Sequence, residues 1–339
     1  MPRLPTVILT LSCLILTAVL GCSQETPNKP QKKTAPVKPK TLTFNGGPRG
    51  GTFNHFANKM AAIISEDVPN LDVLARQSDG SIDNLLALCA GQADMSIVNA
   101  GDAFLGRTGK LHCQDKRYAK LRALAFLYGA PAQLVVRADS DIHTPADLLD
   151  KTIAVGNPGS GAALSAERFF RHLKLWSKFQ HMPVGYAEAA TDFADGKVDG
   201  FWILSGYPTA AIIEAAASVP VRVLNLHDMA MVSGFYQLYP FYSKATIPAG
   251  TYPGQTAPVE TFQDAALWCA QPDLDNRTVY DSLQAVFSPK RLKEMRRIHS
   301  AARDMGPETG LDNISIPLHP GAVRFWSEHR LEIPPILMP

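Results

Sequence analysis

The sequence lacks the motifs of the common hydrolytic, nucleotide-binding and zinc-dependent enzymes. It has no G-x-S-x-G nucleophile elbow, no G-x-G-x-x-G after a predicted strand, no H-E-x-x-H and no Cys/His cluster at zinc spacing. Residues 156–161 approach a phosphate loop, but Ala162 and Ala163 stand where that loop requires Lys and Ser or Thr. These absences predict a binding protein without catalytic residues, metal or cofactor, rather than an enzyme.

The part of the chain that is predicted to fold also has no excess of positive charge. The whole sequence has a net charge of +2, from 33 Lys and Arg against 31 Asp and Glu. Residues 23–40 hold five of the lysines and one Glu, and Arg3 precedes them, so residues 41–339 have a formal charge of −3. A folded part with this balance gives no support for nucleic-acid binding.

Cysteine is scarce, with five in 339 residues. Cys13 and Cys22 belong to the N-terminal segment, which leaves Cys89, Cys113 and Cys269 for the folded part. Cys89 ends a predicted helix and Cys113 follows in a polar loop, so these two could form a disulfide or remain thiols. Cys269 falls in an apolar run and is predicted to be a buried thiol.

A short apolar run, residues 7–20, follows Arg3 and is too short to cross a bilayer comfortably, which is typical of a signal peptide. Val-Leu-Gly-Cys at 19–22 resembles the bacterial lipobox, which predicts residues 1–22 as a lipoprotein signal peptide and Cys22 as the lipidation site. A plain cleaved signal peptide is the alternative. Residues 23–40 are rich in Lys and Pro without an apolar pattern, and they predict a disordered tether.

Two glycine-rich stretches each follow a predicted strand and lead into an amphipathic helix. The first is residues 46–53, with Thr52 as the predicted N-cap of the helix, and the second is residues 156–161. A helix N terminus presents unpaired N–H groups and a partial positive charge, and glycine lets a ligand approach the backbone closely. Each stretch is therefore a candidate anion-binding corner; a tight turn without a ligand is the alternative.

The two halves of the chain repeat the same order of predicted elements. A predicted helix over 81–91 is followed by Asp94 and a strand over 95–98, and a helix over 188–196 is followed by Asp199 and a strand over 201–204. Each half thus gives strand, glycine loop, helix, strand, helix, glycine, strand. The repeat predicts a duplicated α/β lobe, in which ligands bind where strand carboxyl ends and helix N termini converge.

In order along residues 42–326, the chain resembles the TAXI family of solute receptors of tripartite ATP-independent periplasmic (TRAP) transporters. The matching stretches are residues 46–53, 76–81, 91–94, 133–138, 155–161, 239–242, 247–255 and 318–322. The resemblance implies an α/β, two-lobed periplasmic-binding-protein fold (type II, Venus flytrap) with a ligand cleft between the lobes. It places lobe I at 41–133 and 235–339, and lobe II at 134–234.

The resemblance also implies a function: a monomeric periplasmic receptor, lipid-anchored to a bacterial membrane, for a small anionic solute. Such a receptor captures a molecule like glutamate, glutamine or a 2-oxoacid by lobe closure and delivers it to the membrane subunits of a TRAP-type permease. The alternatives are a receptor for an ABC transporter or a membrane sensor and, in another class, an enzyme on the same fold. The chain departs from the usual family pattern at three positions, which are Asp79, Asn99 and Ala162.

The predicted pocket is built from helix N termini at Thr52, Ser81 and Ser160, whose backbone N–H groups would bind carboxylate oxygens. Arg49 and Asn99 are the expected side-chain helpers, and aromatic residues are expected to enclose the apolar part of the solute. The full set of predicted ligand-binding residues is Arg49, Gly51, Thr52, Phe53, Ser78, Ser81, Asn99, Ser160, Gly161, Ala162, Trp202, Gly206, Tyr207 and Tyr239.

Overall fold

The computed structural model describes residues 39–111 and 118–339. Cys22 and Cys113 lie outside the described residues, so the lipid attachment and the pairing of Cys89 with Cys113 stay predictions. Cys269 is fully buried, as its apolar surroundings in the sequence predict. Among the residues described, none of the helices is both long enough and apolar enough to cross a membrane.

Strands and helices alternate along most of the described chain. The strands are β1 Lys40–Asn45, β2 Leu71–Arg76, β3 Met95–Asn99, β4 Arg122–Arg137, β5 Thr152–Ala154, β6 Gln180–Met182, β7 Gly200–Leu204, β8 Val221–Val223, β9 Ser243–Ile247 and β10 Val259–Ala270. The helices are α1 Thr52–Asp67, α2 Ser81–Cys89, α3 Ala100–Thr108, α4 Gly161–His172, α5 Tyr186–Ala194, α6 Ala210–Ser218, α7 His227–Val232, α8 Phe235–Leu238, α9 Asn276–Val286, α10 Pro289–Ile298 and α11 Pro320–Glu328.

The strand pairing confirms the predicted internal repeat. The order across the sheet is β2-β1-β3-β10-β4-β7-β5-β6, with β8 beside β4 and β9 beside β10. In the first half β1 lies parallel to both β2 and β3, and in the second half β5 lies parallel to both β6 and β7. Each half therefore places its first strand in the middle, between the two strands that follow it in the chain.

The repeat extends to individual hydrogen bonds. Asp94 Oδ2 accepts from the backbone N–H of Thr43 at 2.8 Å, and Asp199 Oδ2 accepts from that of Thr152 at 2.8 Å. In both halves the aspartate follows a helix that ends at a left-handed residue, Gly91 or Gly196. The G-x-x-D pattern at 91–94 and 196–199 thus fixes the third strand of each half against the first.

The longest strand corrects the sequence prediction. The apolar runs at 121–128 and 133–137, on either side of Gly-Ala-Pro, predict two strands from the sequence, but β4 is continuous from Arg122 to Arg137. It pairs with β10 as far as Pro131 and with β7 from Ala132 onward. Because the partner strand changes at this point, the missing N–H of Pro131 breaks no continuous ladder, and the strand passes through.

A separate hydrophobic cluster forms the core around β7, α5 and α6. It contains Val135, Phe201 and Ile212, and it also takes in Ile247 and Tyr252. The last two residues lie in the range predicted for lobe I, although they pack with residues predicted for lobe II. The division into 41–133 with 235–339 and 134–234 remains a prediction.

Candidate ligand-binding site

A cavity of about 40 Å³ lies where the N termini of α1, α2 and α4 meet. This volume is far below the roughly 300–1,000 Å³ of a typical ligand pocket, so the two halves lie close together. The residues that line it are Pro48, Gly51, Thr52, Phe53, Asp79, Gly80, Ser81, Asn99, Asn157, Ser160, Gly161, Ala162, Gly185, Tyr186, Leu204 and Ser205.

The prediction that Thr52 is the N-cap of α1 is wrong. Gly51 occupies the N-cap position, and Thr52 is the first helical residue. The Thr52 hydroxyl instead shares a hydrogen bond of 2.9 Å with Ser205 Oγ, which belongs to the second half. Because the first N–H groups of a helix have no intrahelical acceptor, those of Thr52 and Phe53 are free to bind a ligand in the cavity.

The start of α4 matches the capping alternative for Ser160. Its Oγ accepts a hydrogen bond from the backbone N–H of Ala163 at 3.1 Å, so the side chain caps its own helix. The N–H groups of Gly161 and Ala162 precede the first intrahelical bonds of α4, and both residues line the cavity. Capping therefore leaves the backbone of this corner open to an anion.

Gly161 lets the N terminus of α4 reach the first half of the chain. A Cβ at this position would lie 2.2 Å from Asn99 Nδ2, 2.7 Å from Asp102 Oδ2 and 2.8 Å from Ser81 Cβ. Real Cβ atoms do not approach other atoms so closely. Only glycine at position 161 therefore fits this contact between the two halves.

Two side-chain oxygens beside Gly161 are buried without a hydrogen-bond partner among the described residues. They are Asn99 Oδ1 and Asp102 Oδ2, on residues that are 4% and 0% exposed. Leaving a buried acceptor unpaired costs about 1–3 kcal/mol, and such groups therefore mark places where a partner is expected. Asn99 was predicted from the sequence, whereas Asp102 was not.

Tyr186 forms a wall of the cavity that the sequence analysis missed. Its hydroxyl donates to the carbonyl oxygen of Leu204 at 3.0 Å and accepts from the N–H of Leu204 at 3.2 Å, and burial raises the pKa of Tyr186 to about 12. Tyr186 is the first residue of α5 and follows Gly185, as Ser81 begins α2 after Gly80. Aligning the two repeats would therefore have found it.

The structure brings together eight of the predicted residues and separates the others. The eight in the cavity wall are Gly51, Thr52, Phe53, Ser81, Asn99, Ser160, Gly161 and Ala162. Arg49 and Ser78 instead line an adjoining surface cleft, which shares Pro48 and Asp79 with the cavity. Gly206 lies beyond the cavity, where an added Cβ would be 2.7 Å from Ala301 Cβ.

The predicted aromatic wall residues are also elsewhere. Trp202 is 1% exposed in the core, where its Nε1 donates to Ser165 Oγ at 2.9 Å and its ring packs against Phe169. Tyr207 lines a different groove of about 630 Å³, and Tyr239 packs against Phe235. The apolar part of the cavity wall is formed by other side chains, among them Pro48, Phe53, Ala162, Tyr186 and Leu204.

The electrostatic character of the cavity comes from the backbone. Among the described residues that line it, Asp79 alone has a charged side chain, and the N-cap residues of five helices, α1 to α5, belong to its wall. A helix N terminus carries about half an elementary positive charge, and this favours an anion without a salt bridge. The arrangement suits a small solute with a carboxylate, with Asp79 and Asn99 available as acceptors for donor groups.

Three features define a two-lobed periplasmic-binding-protein fold. They are the repeated α/β halves, the long strands β4 and β10 that pass between these halves, and the cleft at the helix N termini. A putative L-cystine ABC transporter protein from Listeria monocytogenes is similar, at 14% identity over 80% of this chain and 100% of that one, with a TM-score of 0.50. The alkanesulfonate-binding protein SsuA from Xanthomonas axonopodis pv. citri matches 86% of this chain and 85% of its own at 15% identity, with a TM-score of 0.45. A sequence model of the NMT1-like family matches residues 44–329, and the chain belongs to that family.

Proposed function

We propose that the protein is an extracytoplasmic solute receptor that captures a small anionic metabolite by closing its two lobes. The observation that carries the proposal is the convergence of α1 and α2 from one half and α4 from the other on one cavity. A ligand that contacts both halves at once stabilises the closed form, because closure is favoured only by contacts that the open form lacks.

The ligand is a carboxylate of the size of glutamate, glutamine or a 2-oxoacid. Its carboxylate group binds the N–H groups of residues 52–53 and 161–162, which supply hydrogen bonds and a positive potential without a cationic side chain. The N–H groups of Gly51 and Ser160 donate instead to the carbonyl oxygens of Pro48 and Asn157. The unpartnered oxygen of Asn99 accepts a hydrogen bond from the rest of the solute. The lobes are those predicted from the sequence, 41–133 with 235–339 and 134–234.

The partner is a TRAP-type membrane permease, and a lipid on Cys22 holds the receptor at the membrane surface on the periplasmic side. Support for the permease comes from the resemblance of the stretches around the cavity to TAXI receptors. Support for the anchor comes from the lipobox-like residues 19–22 and from the polar tether that follows them. The receptor acts as a monomer and has no catalytic role.

Native mass spectrometry of the purified protein tests the receptor proposal. We expect a small acid to co-purify, and we expect L-glutamate, L-glutamine or 2-oxoglutarate to raise the melting temperature, because a ligand that binds only the folded state stabilises it. Succinamide serves as the control without carboxylates. The proposal would be contradicted if the protein converted a bound compound to a product. It would also be contradicted if none of the three acids raised the melting temperature.

Ser160 allows the charge preference of the cavity to be tested separately from stability. Asp and Asn are both good N-caps, so Ser160→Asp and Ser160→Asn should each melt within a few degrees of wild type. The carboxylate of Ser160→Asp would repel an anionic ligand, and we expect it to weaken binding at least about tenfold relative to Ser160→Asn. Calorimetric titration of both variants with the acid that stabilises wild type measures this ratio, and equal affinities would show that the cavity does not bind an anion.

A further inference from the structure

Three side chains form a hydrogen-bonded row that crosses from one half to the other at the cavity. Thr52 Oγ1 lies 3.4 Å from His299 Nε2 and 2.9 Å from Ser205 Oγ. Thr52 and Ser205 line the cavity and are 2% and 4% exposed, whereas His299 contacts Thr52 without lining the cavity. The row thus connects a histidine outside the cavity to a hydroxyl in its wall.

The ring of His299 carries its hydrogen on Nε2. Its Nδ1 accepts a hydrogen bond from the backbone N–H of Ala301 at 3.1 Å, which requires a lone pair on that nitrogen. The ring also donates to the carbonyl oxygen of Pro208, and this donor is Nε2 because Nδ1 is an acceptor. Burial and the nearby His55 lower the pKa of His299, so the ring is neutral at pH 7.5. Its Nε2–H group therefore cannot accept the hydrogen of Thr52.

This tautomer fixes the direction of the hydrogen bond between the two hydroxyls. A hydroxyl has one hydrogen to donate and two lone pairs that accept. Thr52 Oγ1 faces the donor Nε2–H of His299, so its own hydrogen points to Ser205 Oγ. The hydroxyl of Tyr128, on the same side of Gly206, does not take this hydrogen, because it is buried without a hydrogen-bond partner among the described residues.

The hydrogen of the Ser205 hydroxyl is then left for a group in the cavity. In the part of the chain that the structure describes, Ser205 Oγ has Thr52 as its partner, which supplies a hydrogen and takes none. The backbone of Ser205 is held on both sides, since its N–H donates to Pro131 O at 3.3 Å and its carbonyl oxygen accepts from Gln133 Nε2 at 3.1 Å. A donor at a fixed position in the wall, without an acceptor, marks a place for an oxygen of the ligand.

We propose that Ser205 binds the solute as a hydrogen-bond donor and that His299 positions this donor through Thr52. This contact, which rests on the proposed receptor function, specifies the part of the solute that meets the second half. That part is an acceptor oxygen of a carboxylate or an oxo group, because an ammonium group has no lone pair. Ser205 follows β7 and Thr52 begins α1, so the row is complete only when the two halves meet.

Calorimetric titration with L-glutamate, L-glutamine and 2-oxoglutarate tests the contact of Ser205. Ser205→Ala should bind the acid that stabilises wild type about tenfold more weakly, because it loses a hydrogen bond to a charged group. Tyr128→Phe is the matched control, since it removes another buried hydroxyl outside the cavity lining, and it should bind like wild type. Wild-type affinity in Ser205→Ala, or equal losses in both variants, would overturn the contact and leave the receptor proposal intact. If none of the three acids binds wild type, the receptor proposal fails, and this contact fails with it.

Two substitutions separate positioning by His299 from a purely structural role. In His299→Gln the amide nitrogen replaces Nε2 as the donor beside Thr52, whereas in His299→Asn the amide oxygen replaces Nδ1 as the acceptor from Ala301. Positioning predicts that the glutamine variant binds within about twofold of wild type and the asparagine variant at least about threefold more weakly. A role only as the N-cap of the short 3-10 helix Ser300–Arg303 predicts the opposite order, and that order would overturn the positioning.

A double-mutant cycle with Thr52→Val tests the route through Thr52. Valine keeps the shape of threonine without the hydroxyl, so the connection from His299 to Ser205 is broken. Thr52→Val should weaken binding, and His299→Asn should then cause less than about a further twofold loss, because residues in one hydrogen-bond network are not additive. The same loss from His299→Asn with and without Thr52→Val would show that His299 acts by another route. Melting temperatures without ligand establish that each variant is folded.

Discussion

Gly161→Ala is expected to weaken ligand capture strongly while each half of the protein stays folded. Within α4, alanine is the better helix former, although the gain is smaller at this first helical position than the roughly 1 kcal/mol of a helix interior. Between the halves, the added Cβ would overlap Asn99 Nδ2, Asp102 Oδ2 and Ser81 Cβ. The substitution thus favours the local helix and opposes the closed arrangement.

The size of the effect follows from the cost of overpacking. Forcing one extra carbon into a packed contact costs about 1–3 kcal/mol, which weakens binding about fivefold to 150-fold. The clash is severe because Asp102 is tied to Arg168 and Ser81 Oγ accepts from the N–H of Asn99 at 2.9 Å. These bonds prevent the neighbours from moving aside.

Calorimetric titration and small-angle scattering together measure this outcome. Gly161→Ala should keep the secondary structure of wild type, bind the stabilising acid weakly and have a larger radius of gyration. Ala163→Ser is the control, since it adds one atom two residues further along α4, outside the cavity lining. If Gly161→Ala binds as tightly as the control, the contact between α4 and the first half is not needed for capture.

The predicted residues that line the cavity together follow from local rules. Glycine before an amphipathic stretch predicts where a helix starts, and the repeated order of elements predicts that such starts come together. This is why the sequence predicts that Gly51, Ser81 and Gly161 lie in one cavity. Thr52 was also predicted to lie in this cavity, but the prediction that it caps α1 was wrong, because the N-cap is Gly51, one residue earlier.

The positions of other side chains could not be predicted from the sequence, because they depend on which face of a strand packs against which neighbouring helices or strands. Trp202 was expected in the cavity wall, but every residue of β7 is buried, and alternation directs this ring to the aromatic residues of α4. The contact of Asp102 with Arg168 joins residues 66 positions apart, and no local pattern marks it. Apolar periodicity predicts neither the position of Trp202 nor the contact of Asp102 with Arg168, because both depend on how the halves pack.

Arg168→Met is expected to cause the largest loss of stability among the substitutions discussed. It removes the cation that balances Asp102, whose side chain is 0% exposed, and leaves a buried carboxylate without its charged partner. Breaking a buried ion pair from one side costs about 3–5 kcal/mol. Methionine keeps much of the aliphatic length of Arg168, so the loss reports the charge more than the packing.

Arg171→Met is the matched control, one turn of α4 further on. Its side chain is 55% exposed and pairs with Glu167, so its removal should cost about 1 kcal/mol or less. Urea unfolding of both variants at pH 8 and pH 5.5 provides the comparison. The loss in Arg168→Met should be smaller at pH 5.5, because Asp264, whose pKa is raised to about 7 by burial and by Asp102, then binds a proton and removes part of the unbalanced charge. Equal losses in the two variants, or a larger loss at pH 5.5, would show that the buried carboxylates do not depend on Arg168 for their charge balance.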